Sequence, residues 1–433
     1  MKFNILKLLM LIASFTGLKA QDALSFEEAL AHTLSHNYDI LMGQLSEEVA
    51  DNNASRANNG FLPTVAATGG YNWNYLQGEN ELITESRSFD PNNAYNYNLG
   101  ASINYSLFNG LGRKYTYLQA KGASQVSELQ LQQTIQNTVL ELSRLYFEVA
   151  RMEASLDILQ EGLAISKDRY KRASYRYEYG QAKNLDVLNA KVDVNTDSIA
   201  LITGIQELKN LKRSLNYVMG KDIETNFSVE MEIALVEQLG REVVLETALQ
   251  NNVNLKLAAK NQEISSYAIK ASKSSWIPSL SASAGYNYRG SDDPNGAFLI
   301  GSSNYGPQAG ISMSWSIFNG QANTQVKNAK LNLESSKIQQ QSLRENIKSQ
   351  TLNAYSSHQN LLFVLKAQAD NVATAKDNFT RSEESYKNGQ ITSVAFRQAQ
   401  VNLLNAKQAL SKATYDAKNA EFAVLAMMGT LVE

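Results

Sequence analysis

Two stretches of this chain repeat one another in order, and that duplication limits the possible folds more than any other feature. Leu30 to Asn37 (LAHTLSHN) resembles Leu245 to Asn252 (LETALQNN) at an offset of 215. Phe61-Leu62-Pro63 matches Trp276-Ile277-Pro278, and Gly70-Tyr71-Asn72-Trp73 matches Gly285-Tyr286-Asn287-Tyr288, both at the same offset. Ser106-Leu107-Phe108-Asn109-Gly110 recurs as Ser316-Ile317-Phe318-Asn319-Gly320 at 210. Tyr177-x-x-Gly180-Gln181 recurs as Tyr386-x-x-Gly389-Gln390, and Met219-Gly220 as Met428-Gly429, at 209. Each half reads helix, strand, loop, strand, very long helix, turn, helix. The first repeat covers 21–220, with strands near 64–76 and 94–108, a long helix near 112–179 and a helix near 184–218. A linker, 221–243, leads to the second repeat, 244–433, with strands near 279–289 and 304–318 and helices near 321–388 and 393–428.

The strands carry the clearest pattern. In Val65 to Tyr75 the odd positions Val65, Ala67, Tyr71, Trp73 and Tyr75 are apolar or aromatic, and Thr64, Thr68, Asn72 and Asn74 are polar. Tyr95, Tyr97, Leu99, Ala101, Ile103, Tyr105 and Leu107 alternate with Asn, Gly and Ser in the same way. Leu280, Ala282, Ala284, Tyr286 and Tyr288, then Ile311, Met313, Trp315 and Ile317, repeat it in the second half. A period of two places one face in an apolar medium and the other in water. That medium is either a protein core, as in a sandwich, or lipid, as in an outer-membrane barrel. The polar face is almost wholly uncharged Ser, Asn, Thr and Gly, which suits a narrow wet lumen. Aromatic residues at the strand ends suit membrane girdles. Tyr71, Trp73, Leu99, Ile103, Tyr105, Tyr286, Ile311, Met313 and Trp315 are therefore expected to face lipid.

Counting strands points to an oligomer. One chain offers four, whereas the smallest membrane barrels need about eight and an open lumen needs more. Three chains give twelve strands. The loops Gln77 to Asn93 and Arg289 to Asn304 are rich in Gly, Asn, Asp and Ser, and each contains Asp-Pro-Asn, a turn signal, at Asp90 to Asn92 and Asp293 to Asn295.

From Arg113 to about Tyr179 there is no proline, and one column recurs every seven residues: Ile135, Leu142, Val149, Leu156, Leu163, Tyr170, Tyr177. Val187, Val194, Leu201, Leu208 and Leu215 repeat the spacing after the turn, with Phe396, Leu403, Leu410, Ala417 and Val424 as their second-half counterparts. Sustained heptads mean helices packed as a coiled coil. Some 65 residues of helix extend roughly 100 Å, several times a bilayer, so the helices project well beyond it. Gly180 and Gly389 end the long helices at turns that form the far tips. Tyr177 and Tyr386 lie in the heptad column and read as packing residues, while Tyr179 lies outside it and reads as a contact residue.

The remaining composition excludes chemistry. Lys2, Lys7, the apolar stretch Leu8 to Phe15 and the small residue Ala20 have the layout of a secretory signal peptide over 1–20. After residue 20 no run of eighteen apolar residues occurs, so no transmembrane helix is expected. Without the signal the charge is 37 basic against 42 acidic residues, or −5, which gives no electrostatic reason for nucleic-acid binding. There is no cysteine, and the three histidines offer only the pair His32 and His36, with no convincing third ligand. Neither a phosphate loop nor a nucleophile elbow is present, so no enzyme activity, metal or cofactor is expected.

At this point the chain resembles the TolC family over essentially its whole length after the signal. Tyr179-Gly180-Gln181-Ala182-Lys183-Asn184-Leu185-Asp186 is similar to that family's first hairpin tip, and Tyr386-Lys387-Asn388-Gly389-Gln390-Ile391-Thr392-Ser393 to its second. Ser106 to Gly110 and Ser316 to Gly320 are similar to its strand-to-helix junctions. The resemblance implies a homotrimer, with a twelve-stranded barrel in the outer membrane of a Gram-negative bacterium continuing into a periplasmic α-helical barrel. It implies tips, here Tyr179, Gly180, Gln181, Gly389 and Gln390, that meet a periplasmic adaptor (membrane fusion) protein. That adaptor would be attached to an inner-membrane pump of the RND, ABC or MFS type, in an efflux or type I secretion system. The activity implied is passive conduction. Many relatives narrow the tip with acids six and nine residues after the second glycine. Ala395 and Gln398 stand there in this chain, and Asp186 and Asn189 at the matching sites of the first half. Asp186 has two readings, a lumen charge or a helix N-terminal acid favoured by the dipole. The rival from another class is a soluble periplasmic coiled-coil adaptor or structural protein, which accounts for the heptads but not for four strands in matched pairs.

Overall fold

In a computed structural model of the chain, the structure describes residues 23–81, 86–231, 234–235, 240–292 and 300–431. The signal peptide, the Asp293 to Asn295 turn and parts of the linker lie outside them. The chain divides into two compact units.

The sheet unit comprises 43–132 and 253–346. Its strands β1 (Thr64–Glu81), β2 (Ser86–Asn109), β3 (Ser279–Asp292) and β4 (Gly301–Ser314) form one antiparallel sheet in the order β1-β2-β3-β4. The register keeps the two faces apart. Val65 pairs with Ile103, Ile103 with Ala284, Ala282 with Ile311 and Leu280 with Met313. On the opposite face Thr68 pairs with Gly100, Gly100 with Asn287 and Asn287 with Gly306. Helix α6 (Val253–Ser272) packs in this unit against both long helices. Its Ile264 fills the space over Gly122, and Ser265 shares a hydrogen bond of 3.1 Å with Ser336.

The first hairpin is longer than its loop signals imply. Strand pairing resumes past a bulge at Leu76/Gly78, so Asp90-Pro91-Asn92 lies in β2 and not in a turn. Proline is tolerated there because Asp90 and Pro91 fall in the bulge, opposite Gln77, where the ladder needs no donor from the proline nitrogen. Strand β4 ends at Ser314, short of the expected 318.

The helical unit holds 23–42, 133–252 and 347–431 among the described residues. Long helices α3 (Gly112–Glu178) and α7 (Gly320–Lys387) each return through a partner, α4 (Asn184–Met219) and α8 (Ser393–Met428). The heptad column is buried where it is best populated, at Leu142, Val149, Leu156 and Leu163 on α3 and at Phe396, Leu403, Ala417 and Val424 on α8. Around Leu142, Tyr146, Phe147, Leu215 and Met219 it thickens into the main core.

The single helix expected before each strand pair is broken in two. Helix α1 (Phe26–His36) opens on a capping box between Ser25 and Glu28 and stops at Asn37, before α2 (Tyr38–Asn53). The Asn37 side chain caps the new helix, accepting from the Asp39 and Ile40 amides, and donates to the Val218 carbonyl at 2.8 Å. Asn252 repeats the break between α5 (Arg241–Asn251) and α6 and donates to the Met427 carbonyl at 3.2 Å. Each break ties the short helix to the end of the returning helix of its own half.

His358 on α7 is fully buried. Burial pushes its imidazole pKa below the ordinary 6.5, Glu421 acts in the opposite direction, and Lys418 adds to the lowering. The folded state therefore refuses a proton that the unfolded chain accepts, and stability falls as the pH drops through 6.5 toward the lowered value. Thermal unfolding across this window is expected to show that loss, and His358→Gln to flatten it; an unchanged slope in the variant assigns the effect elsewhere.

Candidate functional site

The apolar face of the sheet is bare. Val65, Tyr71, Trp73, Leu99, Ile103, Tyr286, Ile311, Met313 and Trp315 are all exposed within the chain, and Tyr105 on the same face is half-buried. Aromatic rings border this face at both ends. At one end Tyr71 lies 6.0 Å from Tyr95, and Tyr288 lies 5.8 Å from Tyr97 and 6.2 Å from Tyr305. At the other, Trp315 donates its indole N–H to the Trp276 carbonyl at 3.1 Å. Arg113 stacks on Phe61 and Tyr105 there, and its guanidinium ties the Gly60 and Ser106 carbonyls together at 2.8 and 2.7 Å. Tyr305 and Trp315 are ten residues apart. At about 3.3 Å per residue and a tilt of about 40°, that is about 25 Å, the height of the apolar band of an outer-membrane barrel. The other face offers Ser, Asn, Thr and Gly, which can hydrogen-bond water without holding ions.

At the ends of the hairpins the two halves close alike. The Gly180 amide donates to the Tyr177 carbonyl at 2.9 Å and the Gln181 amide to Arg176 at 2.7 Å; Gly389 to Tyr386 and Gln390 to Ser385 repeat this at 3.1 and 2.8 Å. Both glycines are left-handed, φ 72° and 74°, and a side chain on either would meet nothing within 4 Å. Tyr179 is 79% exposed. A cleft of about 400 Å³ beside the tips is lined by Arg172, Tyr175, Arg176, Gln181, Tyr386 and Gly389, among others. Tyr386 is buried and stacked on Phe396, ring centres 4.9 Å apart, in keeping with its heptad position, whereas Tyr177 is exposed in the single chain.

The four residues named for the tip lumen differ in surroundings. Asn189, Ala395 and Gln398 are exposed, and Gln398 donates to Asn402 at 2.8 Å. The Asp186 carboxylate turns back to its own helix, accepting from the Lys183 amide at 3.3 Å, the geometry of a helix N-terminal acid.

A feature that sequence reasoning missed lies close behind the tips. Arg397 on α8 holds Asp197 on α4 through two bonds, 2.7 and 2.8 Å, and donates to Ser166 on α3 at 3.0 Å. Arg169, buried on α3, pairs with Asp193 on α4 and reaches the Ser393 carbonyl on α8. Gln400 completes the cluster, donating to the Gly162 carbonyl at 2.9 Å and to Ser166 at 3.1 Å. Asp197 holds the Arg397 pKa above its already high ordinary value. The only sequence signal was the i, i+4 pair Asp193 and Asp197, which reads like any solvated face.

Among the described residues no group of three or more His, Cys, Asp or Glu is placed to hold a metal, and no helix is long and apolar enough to cross a membrane. The Outer membrane efflux protein family model matches residues 29–221 and 244–430, the two halves in turn. Outer membrane protein TolC of Vibrio cholerae is 23% identical over 381 residues, covering 86% of this chain and 83% of that protein. TolC of Escherichia coli is 24% identical over 370 residues, covering 81% and 73%. The crystal structure of the Campylobacter jejuni CmeC outer membrane channel has a similar fold, with a TM-score of 0.76, 16% identity and coverage of 94% and 86%. An apolar belt of membrane height, an almost neutral opposite face and paired long hairpins in two matched halves make a conduit and not a catalyst, and the chain belongs to the outer membrane efflux protein family.

Proposed function

We propose that three copies of this chain close into one outer-membrane channel, whose hairpin tips receive a periplasmic adaptor coupled to an inner-membrane pump. The observation that carries the closure is the pair of open edges. Among the described residues strands β1 and β4 each have a neighbour on one side only, and an uncovered edge beside an apolar face is an aggregation liability unless another copy pairs with it. The repeat supplies a template for the junction. Inside the chain Gly110 and Gly112 sit tightly against Ser274 and Ile277, whereas Ile317 and Phe318, in the matching second-half segment, are each 85% exposed. The next copy's Phe61-Leu62-Pro63, the counterpart of Trp276-Ile277-Pro278, fits over them.

The channel passes its cargo down whatever gradient the pump creates, and its walls do no chemistry. Tyr179, Gly180, Gln181, Gly389 and Gln390 are the adaptor-contacting residues in this reading, because they are exposed at the hairpin ends. The absence of carboxylates at Ala395 and Gln398 leaves the tip lumen without an acidic ring from the second hairpin. Native mass spectrometry of protein extracted from outer membranes tests the assembly. A trimer is expected, and a monomer from the soluble periplasm would overturn the channel in favour of a soluble adaptor or structural protein.

A further inference from the structure

We propose that Arg289 makes the channel selective for anions: one copy from each chain faces the bore at the hairpin end of the barrel. Cargo bearing carboxylate, sulfate or phosphate groups is then favoured. This rests on the ring of three copies proposed above.

The polar face of the sheet carries a single interruption where all four strands run side by side. Along β3 that face reads Ser279, Ser281, Ser283, Gly285, Asn287 and then Arg289. The faces are fixed locally by Tyr97, whose ring lies over Gly290 on the apolar side, so Arg289 belongs to the other. Its row across the sheet is Gly70, Asn98, Arg289 and Asn304, and the rows on either side of it hold only Asn, Ser, Thr and Gly. Arg289 is exposed, and no carboxylate among the described residues pairs with it. Asp292, three residues on, alternates to the apolar face and so lies outside the bore.

The fold does not need this charge. At the repeat offset of 215 the counterpart of Arg289 is Asn74, in a strand that is otherwise alike from Gly70 to Trp73. A neutral amide therefore serves the same place in the first half.

The dimensions let three such charges govern the bore. Twelve strands about 4.8 Å apart and tilted about 40° close at a backbone radius of about 12 Å. An arginine reaching inward brings its guanidinium roughly halfway to the axis, inside the Debye length of about 8 Å at physiological salt. Three charges at that distance in water enrich a monovalent anion on the axis roughly fivefold and deplete a cation by the same factor. Arginine stays charged at any working pH, so the preference does not titrate. At the tips Ala395 and Gln398 are neutral and the Asp186 carboxylate turns back to its own helix, which leaves no acidic pair there to oppose it.

Reversal potentials across planar bilayers in a KCl gradient test this on the full chain beside Arg289→Asn and Arg289→Glu. The natural channel is expected to prefer chloride over potassium several-fold, Arg289→Asn to lose most of that preference, and Arg289→Glu to reverse it. One reversal potential shared by all three, or a natural channel that prefers potassium, overturns the proposal. Either result from a protein of trimeric native mass leaves the ring of three standing, whereas a monomer overturns both. If Arg289→Asn does not reach the membrane, Asn98→Glu sets a carboxylate directly across from the guanidinium. It is expected to shift the potential in the same direction, and no shift overturns the proposal.

Discussion

Lysine in place of Ile311 is expected to destabilise the inserted protein by about 2–4 kcal/mol, the cost of a cation near the midplane on the lipid face of a barrel. Ile311 lies six residues from Tyr305 and four from Trp315, close to the middle of the aromatic-bounded band, and is 72% exposed on that face. The neighbouring residue Ser312 lies on the polar face and pairs with Ser281, so Ser312→Lys, on the side expected to meet water and counterions, is expected to cost far less. Ile103 and Ser102 form the same contrast on β2. Refolding into bilayers with a denaturant titration measures both pairs. Equal costs on the two faces would remove lipid as the apolar medium.

The second large contrast lies among the glycines that follow the four hairpin helices α3, α4, α7 and α8. All are left-handed and close a helix in the same way, but their surroundings differ. A methyl on Gly220 would stand 2.3 Å from the His36 carbonyl oxygen, and one on Gly429 2.8 Å from that of Asn251. Gly220→Ala therefore combines left-handed strain with backbone overlap and is expected to cost about 2–5 kcal/mol. Gly180 and Gly389 have open space, so alanine there costs roughly 1–2 kcal/mol of strain alone. A bulky residue at either tip is expected to leave trimers in the membrane while abolishing export. Thermal unfolding and an export assay on the same variants separate the cases. Normal export from a Gly389→Trp trimer would show that these turns do not dock the adaptor.

These contrasts follow features that were unequally visible in the sequence. The two faces of the sheet were legible because a period of two with almost nothing charged on the polar side has few physical meanings. The tips were legible through glycine, which marks a left-handed residue. The breaks at Asn37 and Asn252 were not, because a capping asparagine inside an amphipathic run looks like any polar position. Asp90-Pro91-Asn92 misled for a related reason: proline also fits a strand where a bulge interrupts the ladder, and here it lies in the bulge opposite Gln77. The Arg169 and Arg397 network was hidden by distance along the chain, since its four charges come from three helices. Tyr177 keeps the heptad spacing yet stays exposed, which is expected where the packing partner belongs to another copy.

That network has a mechanical consequence. The contact of α8 with the α3–α4 hairpin cannot slip without stranding the buried Arg169, and leaving a buried charge unpaired costs up to about 3–5 kcal/mol. Within one chain the two hairpins are therefore expected to turn together at the tips, as one rigid lever instead of two.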